Sequence, residues 1–174
     1  MLFRSIPPSP GDGGSAVGCA QYLYFVHNNK KRIIENNHSK LIQENVYVGP
    51  SYNDEYIIKF LDSNNIKYEK FEKQSLLKKT AQLISTGNIV GWYQGKMEWG
   101  PRALGNRSIL ADPRNASMKD ILNEKIKHRE SFRPFAPSVL EEYASDFFDI
   151  DIPSPYMLMV TKVKKPEIIP AVTH

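Results

Sequence analysis

The stretch GKMEWGPRALGNRSILADP, residues 95–113, sets the tightest limit on how this chain folds. Gly95, Gly100, Pro101, Gly105 and Pro113 interrupt it every few residues, so it cannot run as a plain helix. Before it comes NIVGWYQ, an apolar and partly β-branched run that predicts a buried strand. After it, Met118, Ile121, Leu122 and Ile126 recur at helical spacing within SMKDILNEKIKHRE. The passage is therefore strand, loop, helix, and the loop holds Lys96, Arg102 and Arg107 with one acid, Glu98, close by.

The flanking sequence alternates in the same way. Residues 5–26 read as a Gly-rich turn and a helix, and the polar residues 28–45 as a linker. Val46 and Val48 suggest a short strand ended by Gly49-Pro50. Asn53 or Asp54 can cap a helix with Tyr56, Ile57, Phe60 and Leu61 on one face, and Asn64-Asn65 ends it. Ile66 to Phe71 reads as a strand. Ser75 is placed to cap a second helix, with Gly87 at its C′ position. Ser117 with Asp120 resembles a capping box. SFRPFAPSVL is an extended, Pro-stiffened segment, a short helix covers 141–148, and YMLMVTKV alternates as a strand does. The order implies an α/β or α+β fold around one sheet, with the basic segment on loops at its edge.

At 174 residues, 41% hydrophobic and 24% charged, the chain suits one domain, or one plus part of another, with a sizeable core. No apolar run approaches the roughly 20 residues that span a bilayer, and MLFRSIPPSP lacks a long apolar signal region. The single cysteine, Cys19, excludes an internal disulfide and fits a cytoplasmic location, where it reads as a small packing residue. The net charge of +4 is unevenly placed. Lys96 to Arg133 holds nine Lys/Arg against five Asp/Glu, so that segment carries the whole surplus. Such a surface points to an anionic ligand: phosphate, nucleotide or nucleic acid.

Three stretches can carry that chemistry. In Trp92–Leu110 the glycines let a ligand approach backbone N–H groups, while Arg102 and Arg107 offer planar forks for phosphate or carboxylate. Asn106 and Ser108 add neutral donors. The spacing is neither a Walker loop nor a dinucleotide-binding glycine motif. A structural alternative is a loop bridged by Glu98 and Arg102. In KIKHRESFRPF, the helix dipole alone explains Lys125 and Lys127. Arg133, between Phe132 and Phe135, is expected to be part-buried with an anionic partner. His128 reads as a surface residue. In PGDGGSAVG, Asp12 lies in a Gly-rich turn at a helix start, as a turn former or as a carboxylate for a metal or ribose. No nucleophile arrangement or carboxylate pair stands out, so the chain offers electrostatic grip on an anion, as phosphoryl and adenylyl transfer require.

GKMEWGPRALGNRSILADPR, MKDILNEKIKHRESFRPFAPSVL and IIPAVTH together closely resemble the carboxy-terminal domain of nodulation- and antibiotic-type O-carbamoyltransferases. PPSPGDGGSAVGCA resembles the end of that family's amino-terminal domain. The resemblance implies a YrdC-like twisted mixed sheet with flanking helices over residues 46–174. Ahead of it, across the 28–45 linker, residues 1–27 would be a short remnant of an actin/sugar-kinase-like domain. It implies binding of ATP with Mg and of carbamoyl phosphate, and formation of a carbamoyl-adenylate. The carbamoyl group then passes to a hydroxyl-bearing acceptor, sugar or antibiotic-like. Lys127-His128-Arg129 matches the Lys-x-Arg pair that clamps the small anion in such domains, with Lys96, Arg102, Asn106, Arg107, Ser108 and Arg133 around the nucleotide. Asp12 falls at a ligand position for a divalent, iron-type metal of the amino-terminal domain. That domain's histidines are expected upstream, and the family continues past His174 through an Asp-Gly turn. Lys96 and Trp99 stand where the family commonly has Arg and Phe, which keeps charge and bulk. Two other classes stay open: an RNA-binding YrdC-like module, less favoured because the cations cluster on a tight loop, and a docking domain using Asp149–His174. No membrane partner is expected.

Overall fold

The Gly-rich passage closes a hairpin. In the computed structural model, which describes residues 9–31 and 46–174, Val90–Tyr93 forms β1 and Arg107–Leu110 forms β2. They pair antiparallel as a two-stranded sheet. The mixed α/β character expected from the sequence is present in this reduced form. Most of the 28–45 linker lies outside the described residues. The chain divides into two compact units, Met1–Phe60 with Tyr93–Arg107, and Leu61–Trp92 with Ser108–His174.

In the first unit, helix α1 spans Asp12–Gln21 and widens into a π-helical stretch, Tyr22–His27. Helix α2, Asp54–Ser63, starts where Asn53 Oδ1 accepts the Tyr56 N–H at 2.9 Å, the cap its sequence predicts. The strand expected at Val46 and Val48 is not formed. The Val46 and Pro50 carbonyls accept from Trp99 and Met97 at 2.7 and 2.9 Å, and the Gly49 N–H donates to Met97 at 3.0 Å. These bonds pin a bent chain, with Val46 buried, instead of building a ladder.

In the second unit, helix α3 spans Lys73–Ser85, two residues ahead of the expected Ser75 cap, with no side-chain cap. It ends at Gly87, whose φ of +89° is a left-handed stop and whose N–H donates to Ile84 at 2.9 Å. Residues 66–71 form neither strand nor helix, so the expected strand is absent. Helix α4, Met118–Ile121, continues as a π-helix over Leu122–Lys127. Ser117 makes no cap bond from its side chain; instead its N–H donates to Asn115 Oδ1 at 3.0 Å. The expected helix at 141–148 appears as a 3-10 turn, Glu141–Tyr143, followed by helix α5, Ala144–Phe147. The strand expected in YMLMVTKV reduces to one antiparallel bridge, Val163 to Phe148.

The core of this unit is Met118, Leu122 and Ala171, packed by Ile89, Ile109, Ala111 and Phe135. A 3-10 turn, Pro170–Val172, seats Ala171 there, and its N–H donates to the Pro113 carbonyl at 3.1 Å. The core is smaller than the composition suggests, because Tyr56 and Phe60 on α2 and Leu76 and Leu77 on α3 are exposed. Strand β1 alternates half-buried and exposed residues; it is not the buried strand expected.

Two substitutions separate packing from backbone effects in urea unfolding. Leu122→Ala is expected to cost about 2–5 kcal/mol through transfer and cavity terms. Gly87→Ala meets nothing within 4 Å of the added Cβ, so it is expected to cost only about 1 kcal/mol of left-handed strain. Equal losses would place the core elsewhere.

Candidate functional site

The loop from Gly95 to Asn106 is organised by the acid in it. The Glu98 side chain is fully buried. Its Oε1 accepts the backbone N–H groups of Leu104 and Asn106, both at 2.7 Å, and of Arg107 at 3.2 Å. Its Oε2 accepts Arg107 Nε at 2.9 Å, while Arg107 Nη2 donates to the Glu98 carbonyl at 2.8 Å. Inside a helix these three N–H groups would be taken up by carbonyls four residues back and could not reach one carboxylate. Gly105, at φ +109°, permits the turn that brings them to it. The glycines and proline that exclude a helix are what allow this arrangement.

The neutral side chains complete the loop. Asn106 Nδ2 donates to the Lys96 carbonyl at 2.7 Å, and Gln94 Nε2 bridges to the Gly105 carbonyl and Asn106 Oδ1 at 3.3 Å each. Tyr47 Oη donates to the Leu104 carbonyl at 2.7 Å. The structural alternative is therefore corrected in its partner: Glu98 bridges to Arg107, not to Arg102. Arg102 is exposed in the same loop, as is Lys96, and among the described residues neither forms a salt bridge.

Burial pushes the Glu98 carboxyl up, but the N–H of Leu104, its own N–H, the Arg107 guanidinium and the Asn106 N–H outweigh it and hold it at about 2, below its ordinary 4.5. Because the folded value is the lower one, this contribution is complete above pH 4.5 and is lost as pH falls toward 2. The difference corresponds to on the order of 3 kcal/mol. Glu98→Gln is expected to lower stability by about that amount at neutral pH, with the gap to the unsubstituted chain closing below pH 4.5. Urea titrations across pH check it; equal stability at pH 7 overturns the role.

The second cluster lies in the second unit, at the end of the π-helix. His128 adopts the left-handed conformation, φ 46°, and turns the chain so that the Arg129 N–H donates to the Asn123 carbonyl at 3.0 Å. Arg129 Nε donates to Asn123 Oδ1 at 2.7 Å, its guanidinium lies over the Phe135 ring with Cζ 4.8 Å from the centroid, and Nη2 reaches toward the Pro134 carbonyl at 3.4 Å. Arg133 finds its expected anionic partner in Glu130, at 2.8 Å, yet is half exposed and not part-buried between its phenylalanines. Phe132 itself is 75% exposed. Glu124, His128, Arg129, Glu130 and Arg133 line a shallow open concavity. Lys127 occupies the last turn of the π-helix and is exposed, as is His128.

The structure thus gathers Lys96, Asn106 and Arg107 around Glu98 in one unit, with Arg102 in the same loop, and Arg129 with Arg133 in the other. Ser108 is half-buried on β2. Asp12 is exposed in the first turn of α1, and among the described residues no three His, Cys, Asp or Glu side chains form a metal-binding group. Asn123 escaped the sequence reading. The available signal was an amide directly after Leu122, a core position of the helical stripe.

Residues 81–174 match the carbamoyltransferase C-terminus family, and the chain belongs to it. The chain is 43% identical over 162 residues to an uncharacterised protein of Synechocystis, covering 92% of this chain and 26% of that protein. Nodulation protein NolNO of Sinorhizobium fredii is 37% identical over 183 residues, covering 99% of this chain and 26% of the relative. Nodulation protein NolO of Bradyrhizobium diazoefficiens is 42% identical over 135 residues, covering 74% and 25%. The chain spans about a quarter of the length of these curated relatives. Among the described residues no helix is long and apolar enough to cross a membrane.

Proposed function

We propose that this chain is the activating part of an O-carbamoyltransferase, binding ATP and carbamoyl phosphate and joining the carbamoyl group to the adenylate. The observation that carries it is the arrangement of Arg129, whose Nε edge and ring face are held by Asn123 and Phe135 while its outer nitrogens stay beside an open concavity. A guanidinium restrained on one edge presents the other to a small anion at little entropic cost. Lys127 supplies a second charge for carbamoyl phosphate. Lys96 and Arg102 are the exposed cations for nucleotide phosphates, with Asn106 and Arg107 shaping their loop, and Ser108 and Arg133 are further candidate contacts. Mg, when bound with ATP, neutralises phosphate charge.

The atom balance defines the step. Water releases phosphate from carbamoyl phosphate, and the resulting carbamate oxygen attacks the α-phosphorus of ATP with loss of pyrophosphate. Chain cations bind and orient these anions; none acts as nucleophile. Under this reading residues 46–174 belong to a YrdC-like domain, 28–45 to a linker and 1–27 to the end of an actin/sugar-kinase-like domain. A hydroxyl-bearing acceptor is met by other parts of such an enzyme. An iron-type metal there takes at most Asp12 from the described residues, which do not form a metal site by themselves.

Calorimetric titration of this chain with Mg-ATP, with and without carbamoyl phosphate, tests the proposal. The expected result is saturable one-site binding that tightens with the second ligand. Arg129→Ala is expected to weaken carbamoyl phosphate, and Arg102→Ala ATP, at least tenfold each, while Lys164→Ala does neither. Unaltered binding in both arginine variants overturns the site. Affinity for RNA that collapses steeply with salt would favour the nucleic-acid class instead.

A further inference from the structure

We infer that Asn123 is the positioning residue for Arg129, and that its neutrality keeps the guanidinium charge available to an anion. This rests on the reading of Arg129 as a carbamoyl phosphate ligand. Asn123 is 1% exposed, one of the two most fully buried large side chains described. Its Nδ2 donates to the Arg133 carbonyl at 2.9 Å and the Ser131 carbonyl at 3.3 Å. Carbonyls only accept, so these two bonds fix which end of the amide is nitrogen. Oδ1 is thereby aimed at Arg129 Nε, 2.7 Å away. The Asn123 backbone carbonyl adds a bond from the Arg129 N–H at 3.0 Å. One residue thus orients both the backbone and the side chain of Arg129.

The residue type follows from the same contacts. Leucine fills the volume but leaves the Ser131 and Arg133 carbonyls and the Nε–H without the partner that Asn123 supplies. Aspartate accepts from Nε but turns a negative oxygen toward the two carbonyls and cancels the arginine's charge. Only a neutral amide of this length donates twice on one side and accepts on the other without neutralising Arg129. The other restraint, the Phe135 ring, is also uncharged, and the neighbouring acid, Glu130, which feels the Arg129 charge, is half exposed and ion-paired with Arg133. Among the described residues no bond occupies Nη1, the edge left for a ligand.

The experiment is nitrogen–proton NMR of arginine Nε–Hε groups in this chain, with carbamoyl phosphate titrated in. Arg129 is expected to give a slowly exchanging peak that shifts on titration, assigned by its loss in Arg129→Lys. In Asn123→Leu that peak is expected to lose its protection and carbamoyl phosphate affinity to fall at least tenfold, with no further loss when Arg129→Ala is added. A protected peak in Asn123→Leu, or losses that simply add in the double variant, overturn the assignment. Should Asn123→Leu fail to fold, Asn123→Asp decides: the peak is expected to persist while affinity drops at least tenfold, and undiminished affinity overturns the role of neutrality. A protected peak in the unsubstituted chain that ignores carbamoyl phosphate but vanishes in Asn123→Leu supports the positioning while overturning the proposed ligand.

Discussion

The first unit depends on one buried carboxylate. An isolated anion in a protein interior is costly, and Glu98 is tolerable only because three backbone N–H groups and a guanidinium converge on it. The convergence explains features that otherwise look unrelated. The backbone cannot spend the Leu104, Asn106 and Arg107 N–H groups on helical bonds if they are to meet Glu98, and Gly105, at φ +109°, makes the turn that brings them together. Arg107 must be arginine, because lysine could not donate to both the carboxylate and the Glu98 carbonyl in that fork. Arg102 is left outside the network, and so is the Lys96 ammonium, although the Lys96 carbonyl is held by Asn106. The loop is basic in composition, yet part of that basicity is internal structure.

The two arginine sites use opposite means of restraint. Arg107 is held by a charge, which fixes it and neutralises it together. Arg129 is held by an amide and an aromatic ring, which fix it and leave its charge in place. A sequence count treats the two arginines alike, but the structure pairs Arg107 with a buried carboxylate and holds Arg129 by neutral groups. Arg133 falls between them, since its ion pair with Glu130 is half exposed on both sides and contributes little to stability.

Local chemistry was the legible part of the fold. Asn53 as a cap, Gly87 as a stop and the helix beginning at Met118 follow from contacts within a few residues, which sequence contains. The strands at 46–48, 66–71 and 156–163 were misread for one shared reason: period-two alternation states that a segment can be extended, not that a second backbone lies beside it. Where a neighbour exists, at 90–93 and 107–110, a sheet forms. The caps assigned to Ser75 and Ser117 failed because a hydroxyl in a helix-start position is only one of several ways to satisfy the first N–H groups. The site was legible as an excess of positive charge. Its geometry was not, because Glu98 meets its donors six to nine residues on, and Arg129 meets Asn123 only through a left-handed turn at His128.

That excess also survives folding. Between Lys96 and Arg133 three acids are taken up by three arginines: Glu98 with Arg107, Asp112 with Arg114, and Glu130 with Arg133. Each pair removes one charge of either sign, so the surplus of the segment is unchanged and is concentrated on the cations left over. Three of those, Lys119, Lys125 and Lys127, sit on α4 and its π-helical extension, where Lys125 and Lys127 also complement the helix dipole. The remaining three, Lys96, Arg102 and Arg129, lie outside helices and gain nothing from a dipole. Arg107, Arg114 and Arg133 are each paired with a nearby acid, whereas Arg129 is restrained by the neutral Asn123 and Phe135 and, among the described residues, forms no salt bridge.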